Sequence, residues 1–102
     1  MNKRREMLEK MVASGKADSF ALYALALEYR TEERVDDAMA TFAKLREADP
    51  NYLPMYLMAG QILLERDRAA EAKTWLEAGV ELATKQGNMK ARSELQSALD
   101  SC

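Results

Sequence analysis

The 102-residue chain contains no histidine and only one cysteine, Cys102, at its last position. Without histidine, it lacks the side chain that most often serves as a general base or metal ligand near neutral pH. A single cysteine forms neither an intramolecular disulfide nor a zinc site of several thiolates. The sequence therefore predicts a protein without a metal or cofactor, and the lack of paired cysteines favours a reducing, cytoplasmic location.

Glycine is also scarce, with four isolated residues and no glycine-rich loop of the kind that binds phosphate groups. Carboxylates are plentiful, but pairs such as Glu32-Glu33 and Asp36-Asp37 fall at predicted turns and helix starts. There they complement the helix dipole and favour solubility, so they need no catalytic explanation. We predict that the protein is not an enzyme.

No apolar run reaches the roughly 18 residues of a membrane-spanning helix. The first twenty residues also lack the apolar core of a signal peptide, because Met7-Leu8 is soon followed by Glu9-Lys10. The net charge is −2, and the one basic cluster, Lys3-Arg4-Arg5, is interpreted as a solvated helix start. Since a nucleic-acid-binding protein usually carries a basic stripe, we expect neither a membrane nor a nucleic acid as partner.

Helical periodicity dominates the chain, which has only two prolines and no segment that clearly alternates apolar and polar residues. Val35, Ala38, Met39, Phe42 and Leu45, for example, recur with the period of one helix face. Turn and capping residues divide the chain into about six helices joined by short connections, so successive helices should pack antiparallel. The sequence therefore predicts an all-α fold.

The expected helix ends follow from capping chemistry, in which small polar side chains start helices and glycine ends them. Pro54 suits the first turn of the fourth helix, since its missing N–H costs little there. The predicted caps and stops are, in chain order, Gly15, Asp18 or Ser19, Asn51, Gly87 and Asn88.

Two segments 34 residues apart share one pattern of residue size and polarity. The first contains Leu22, Leu25, Ala26, Tyr29, Ala38, Phe42 and Pro50. The second contains Tyr56, Ala59, Gly60, Leu63, Ala72 and Leu76, with Thr84 where the first has Pro50. This pattern resembles the tetratricopeptide repeat family, and the resemblance covers residues 19 to 86.

The resemblance implies a right-handed α-solenoid of antiparallel helix pairs in a single domain, residues 1–102. We expect an N-terminal helix at 3–14, a first repeat at 19–52, a second repeat at 53–86 and a capping helix at 88–101. Because at least three units are usually needed for a stable repeat array, both flanking helices are expected to be structurally required.

The resemblance also assigns four small residues to the places where the two helices of a repeat cross. Ala26 and Gly60 lie on the first helices, and Ala38 and Ala72 lie opposite them on the second helices. The larger residues of the pattern fill the space around these crossings. A leucine at any of the four positions should overpack the crossing and cost about 1–3 kcal/mol.

A concave groove that holds a partner peptide is the functional site of this family. The corresponding positions here hold Phe20, Tyr23, Leu27, Arg30, Thr31, Pro54, Leu57, Gln61, Leu64 and Glu65. The predicted binding residues are Phe20, Tyr23, Leu27, Arg30, Leu57, Gln61 and Leu64, together with Arg92 of the last helix. Most are apolar, and exposed apolar patches usually mark interaction sites. Flanking helices could instead bury Tyr23, Leu27, Leu57 and Leu64, which would give these four a structural role.

A more specialised site of the family, the carboxylate clamp of chaperone adaptors, is poorly matched. Its positions hold Tyr23, Leu27, Met58, Asn88 and Arg92, and only Arg92 has the expected chemistry. The resemblance therefore predicts a groove that binds mainly through apolar contacts and not through a terminal carboxylate.

Three functions remain compatible with the sequence. The leading hypothesis is a module that binds a peptide or helix of another protein through apolar anchors. The alternative is self-assembly into a homodimer through the same surface. The third, RNA recognition by helical repeats, is disfavoured by the acidic sequence pI of about 5.2.

Overall fold

The computed structural model describes all residues, Met1–Cys102, and contains six α-helices and no strands. The helices are α1 (Lys3–Ala13), α2 (Ser19–Thr31), α3 (Val35–Ala48), α4 (Pro54–Glu65), α5 (Ala69–Gln86) and α6 (Met89–Leu99). The predicted all-α fold of about six helices is confirmed. The first and last helices end slightly earlier than predicted, at Ala13 and Leu99.

The helices form two compact units, Met1–Pro50 and Asn51–Cys102. In the first unit, α2 packs against both α1 and α3. In the second unit, α5 packs against both α4 and α6, and α4 also contacts α6. Because short turns join these neighbours, consecutive helices within each unit run antiparallel.

Side-chain oxygens cap three helices. Asn2 accepts a hydrogen bond from the Arg5 N–H at 2.9 Å, Asp18 from Ala21 at 2.8 Å, and Asn88 from Ala91 at 3.0 Å. Asp18 is therefore the cap of α2, whereas Ser19 donates its hydroxyl to Asp49 Oδ2 at 2.7 Å. The predicted caps at Asp18 and Asn88 are confirmed.

The predicted cap at Asn51 is wrong. The residue before α4 is Leu53, which makes no capping hydrogen bond with its side chain, and Pro54 is the first helical residue. Proline at this position leaves no N–H to satisfy. The next two N–H groups donate to backbone carbonyls instead, Met55 to Tyr52 at 3.3 Å and Tyr56 to Leu53 at 3.2 Å.

Four helices end in a left-handed turn. The residues in this conformation, with φ between +57° and +75°, are Gly15, Glu33, Asp67 and Gly87. The residue after each turn donates its N–H to a carbonyl five positions back, as in Arg34 to Tyr29 at 2.8 Å and Arg68 to Leu63 at 2.9 Å. This is the Schellman motif, which glycine normally completes. The predicted stops at Gly15 and Gly87 are confirmed, whereas Glu33 and Asp67 adopt the same conformation with a side chain.

The two non-glycine turns lead into the same ion pair. Arg34 Nε lies 2.9 Å from Asp37 Oδ2, and Arg68 Nε lies 2.8 Å from Glu71 Oε1. The hydrogen bond from Arg68 holds the pKa of Glu71 below its usual value. The left-handed turn and the ion pair that follows it therefore recur at a spacing of 34 residues, although the two halves of the chain share few identical residues.

The core of each unit is built around small residues. Ala26, Ala38 and Ala72 have no exposed surface. In the second unit, a Cβ added to Gly60 would lie 2.6 Å from Leu76 Cγ, and one added to Gly79 would lie 2.8 Å from Tyr56 Cβ. The largest side chains with under 2% exposure are Phe42, Leu45, Met55, Ile62, Leu63, Leu76 and Leu95. Close helix contact therefore depends on the small residues.

The interpretation of Lys3-Arg4-Arg5 as a solvated cluster is wrong for Arg5. Its side chain is only 19% exposed, with Nη1 2.8 Å from Glu9 Oε1 and Nε 2.6 Å from Glu32 Oε2. Glu32 lies just beyond α2, so Arg5 joins α1 to that helix. Arg5 and Glu32 lie far apart in the sequence, so the local charge pattern does not predict their pairing.

Candidate functional site

The groove residues predicted on α2 lie along one face of that helix. Phe20, Tyr23, Leu27 and Arg30 are spaced by three, four and three residues, which places them in one stripe. Phe20 is 66% exposed, and the other three are half-buried. The Tyr23 ring also contacts the Phe42 ring, with centroids 6.3 Å apart and planes tilted by 58°. Tyr23 therefore contributes to packing within the first unit as well as to the stripe.

The groove residues predicted on α4 form a second stripe. Leu57, Gln61 and Leu64 are spaced by four and three residues and are all half-buried. Leu57 and Gln61 line an open cleft of about 480 Å³. The other wall of this cleft comes from α6 and its C-terminal end, through Ser93, Glu94, Ser97, Ala98 and Ser101. The last helix thus narrows this part of the site and gives it a largely polar wall.

Arg92 does not line the cleft of Leu57 and Gln61. It borders a separate depression of about 440 Å³ along α6, together with Met89, Ser93, Gln96, Ser97 and Asp100. The structure therefore brings two predicted groove residues of the second unit together and places Arg92 on a neighbouring surface.

A cleft in the first unit was not predicted. It has a volume of about 250 Å³ and lies among α1, α2 and α3. Its lining residues are Glu9, Val12, Ala13, Leu25, Tyr29, Thr41 and Lys44. The repeat pattern identified Leu25 and Tyr29 as packing residues, but it carried no information on how closely the N-terminal helix covers them.

Tyr29 is the polar centre of this cleft. Its hydroxyl donates to Glu9 Oε2 at 2.6 Å, and the Arg34 guanidinium lies 4.7 Å from the centroid of its ring. Burial and the hydrogen bond to Glu9 raise the pKa of Tyr29 to about 12. The same hydrogen bond, with help from Arg5, lowers the pKa of Glu9. The hydrogen bond between neutral Tyr29 and ionised Glu9 therefore joins α2 to α1.

Two further features bear on the kind of site. No group of three or more acidic, histidine or cysteine side chains is arranged to hold a metal ion. None of the six helices combines the length and hydrophobicity required to cross a bilayer.

Comparison with known proteins settles the family. The sequence profile of the tetratricopeptide repeat matches residues 29–99. The chain belongs to the tetratricopeptide repeat family. No curated protein sequence matches the chain.

Solved tetratricopeptide repeat domains share its fold. One from Salinibacter ruber is 36% identical in its solution structure, with a TM-score of 0.76 over 82% of this chain and 85% of that chain. In its crystal structure the identity is 35%, with a TM-score of 0.74 over 83% of this chain and 94% of the other. A protein from Bordetella parapertussis, solved in solution, is 27% identical, with a TM-score of 0.82 over 99% of this chain and 88% of that chain.

The family match confirms the resemblance inferred from the two 34-residue patterns. Tetratricopeptide repeat domains are in general protein–protein interaction modules. In this tetratricopeptide repeat protein, the most exposed large apolar side chain on the predicted binding stripes is Phe20.

Proposed function

We propose that the chain is a non-catalytic module that binds a peptide or helical segment of another protein along the apolar stripes of α2 and α4. The observation that carries this proposal is the exposure of Phe20 at the head of a stripe that continues through Tyr23 and Leu27. A large aromatic side chain left in water favours contact with a partner, and such residues often dominate binding energy. The cytoplasmic location remains a prediction from the cysteine content.

Apolar burial would supply most of the affinity. A side chain such as phenylalanine or leucine gains about 1.5–3 kcal/mol when it moves from full exposure to full burial. Leu27, Leu57 and Leu64 are already half-buried, so each has less to gain than Phe20. Arg30 and Gln61 on the same stripes would orient the ligand through polar contacts. Binding of this kind should depend only weakly on salt.

A displayed library of random peptides, selected on the wild-type chain, tests the proposal. Binding peptides should lose at least tenfold in affinity on Leu27→Glu and on Leu57→Glu, because each change places a charge at an apolar contact. Ala40→Glu is the matched control, since Ala40 is exposed on α3 and belongs to neither stripe. Peptides that bind all four chains equally well would contradict a site on these stripes.

Self-assembly is the second candidate, and the same exposed Phe20 favours it. Light scattering over a hundredfold range of concentration separates the two functions. A wild-type monomer supports binding to a different protein. A wild-type dimer that Leu27→Glu converts into a folded monomer would instead support a homodimer through the stripe of α2.

A further inference from the structure

The N-terminal half of α1 is attached to α2 mainly by polar and charged groups. Asn2 Nδ2 donates to Glu28 Oε2 at 3.0 Å, and Arg4 Nε lies 3.2 Å from Glu28 Oε1. Arg5 spans the distance to Glu32 just beyond the end of α2. The side chain of Arg4 is 64% exposed, so water and salt reach this seam. Ion pairs in such a setting contribute little each and are screened by salt.

The apolar attachment of α1 is small in comparison. Leu8 is its single buried residue, whereas α2 buries six residues and α3 buries four. Met11 and Val12 pack against the same core but are only half-buried. Towards its C-terminal end, α1 leaves open the 250 Å³ cleft that separates Val12 and Ala13 from α3. The first unit therefore holds α1 with less buried surface than its other helices.

The face of α2 beneath α1 has a defined chemistry. Ala21, Ala24 and Leu25 supply an apolar strip, which belongs to the core cluster around Leu8. Glu28 and Glu32 continue the same face as an acidic end. Since an α-helix turns about 100° per residue, the centre of this face lies about 100° around α2 from the stripe of Phe20 and Leu27.

We propose that α1 is a displaceable cap, and that this face of α2 accepts a basic amphipathic helix of a partner protein in its place. The chemistry of the occupant follows from α1: adjacent basic residues for Glu28 and Glu32, and a leucine in the position of Leu8. A large apolar side chain in place of Ala13 would fill the cleft that α1 leaves open. The surface is distinct from the stripes of the proposed function, and the inference does not depend on them.

An occupant must compete with a helix that is covalently linked to its site. The link gives α1 a high effective concentration, which lowers the apparent affinity of any competitor. Two features offset this advantage. The ion pairs of α1 are weak, and a competitor that keeps glutamate at the position of Glu9 to accept from Tyr29, and also fills the cleft, would make contacts that α1 lacks. Weakening the linked helix should therefore strengthen binding of the competitor.

The test uses a fluorescein-labelled synthetic peptide of residues 2–14 that carries Ala13→Leu, titrated with the full chain and followed by fluorescence anisotropy. Arg5→Gln in the full chain should raise the affinity about threefold to fivefold, because it removes the ion pair that joins α1 to Glu32. Leu8→Ala should raise it more than tenfold, because it removes the apolar anchor of α1. In Leu8→Ala the linked α1 should be largely undocked, so adding Glu32→Gln should lower the affinity about threefold to fivefold, because the peptide loses its ion pair with Glu32.

Leu27→Glu, added to Leu8→Ala, is the control that separates this site from the proposed function. It should leave peptide binding unchanged, because Leu27 lies on a different face of α2 and is not part of the core cluster around Leu8. Equal peptide affinity for wild type and Leu8→Ala, both with native circular dichroism, would overturn the proposal. If Leu8→Ala loses its helical signal, the milder Arg5→Gln decides, and an unchanged affinity with that variant overturns the proposal as well.

Discussion

Gly60 offers a test in which two ordinary effects oppose each other. Replacing glycine with alanine inside a helix usually stabilises a protein by roughly 0.5–1 kcal/mol, because the unfolded chain loses freedom. Here the new methyl group would lie 2.6 Å from Leu76 Cγ and 3.2 Å from its Cδ1. Overpacking of this kind costs about 1–3 kcal/mol. We expect the overlap to dominate, so that Gly60→Ala lowers the free energy of unfolding by about 1 kcal/mol.

A double-mutant cycle with Leu76→Ala isolates the cause. Leu76 has no exposed surface, so Leu76→Ala alone should cost about 2–5 kcal/mol. In that background the methyl group of Gly60→Ala has room, and the substitution should stabilise by about 0.5–1 kcal/mol. The effect of one substitution thus changes sign with its neighbour. Urea unfolding followed by circular dichroism at constant slope measures all four chains.

Ala43→Gly supplies the reference for the intrinsic difference between the two residues. Ala43 is exposed in the middle of α3, where exchange with glycine should cost about 1 kcal/mol through helix propensity alone. A higher urea midpoint for Gly60→Ala than for wild type would contradict this expectation. It would mean that α4 and α5 are not in tight contact between Gly60 and Leu76.

Three further predictions concern stability. Glu33→Gly and Asp67→Gly should each raise the free energy of unfolding by about 0.5–1 kcal/mol in thermal unfolding, because glycine adopts the left-handed conformation without strain. If neither substitution stabilised the protein, the backbone at these residues would not be strained. The raised pKa of Tyr29 contributes about 2–3 kcal/mol to the free energy of unfolding below pH 10, the usual pKa of tyrosine in an unfolded chain. This contribution should be lost as the pH rises from 10 towards 12. Urea titrations should show this pH dependence for wild type and not for Tyr29→Phe. Ala38→Leu should lower the free energy of unfolding by about 1–3 kcal/mol, and an unchanged melting temperature would refute its place at a helix crossing.

Helix type and most helix ends could be predicted because they depend on neighbouring residues. Asp18 and Asn88 cap helices through a bond that spans three residues. The turn at Gly15 is predicted from the residue type, because glycine readily adopts positive φ. Glu33 and Asp67 adopt the same conformation without any such sign, because packing of the flanking helices overrides the local preference. Asn51 does not cap α4, because the helix begins at Pro54, which has no N–H for a cap to accept.

The candidate sites were predicted less completely, since they depend on contacts between distant residues. The stripe on α2 follows directly from helical spacing. The polar wall opposite Leu57 and Gln61 depends on how α6 lies against α4, which no local pattern specifies. The attachment of Asn2 to Glu28 joins residues that are 26 positions apart. A charge run therefore predicted solvent exposure at Arg5, where the structure places an ion pair.

The matching turns at Glu33 and Asp67 make residues 34–67 a unit that could be duplicated. A stretch that starts after Glu33 and ends at Asp67 begins and ends at the same backbone geometry, with φ of 58° and 57°. Each end is followed by an arginine that pairs with an acidic residue three positions later. A second copy of this segment, inserted after Asp67, would therefore keep the same turn and ion pair at its junction. The protein could therefore be lengthened by one repeat without the design of a new helix end.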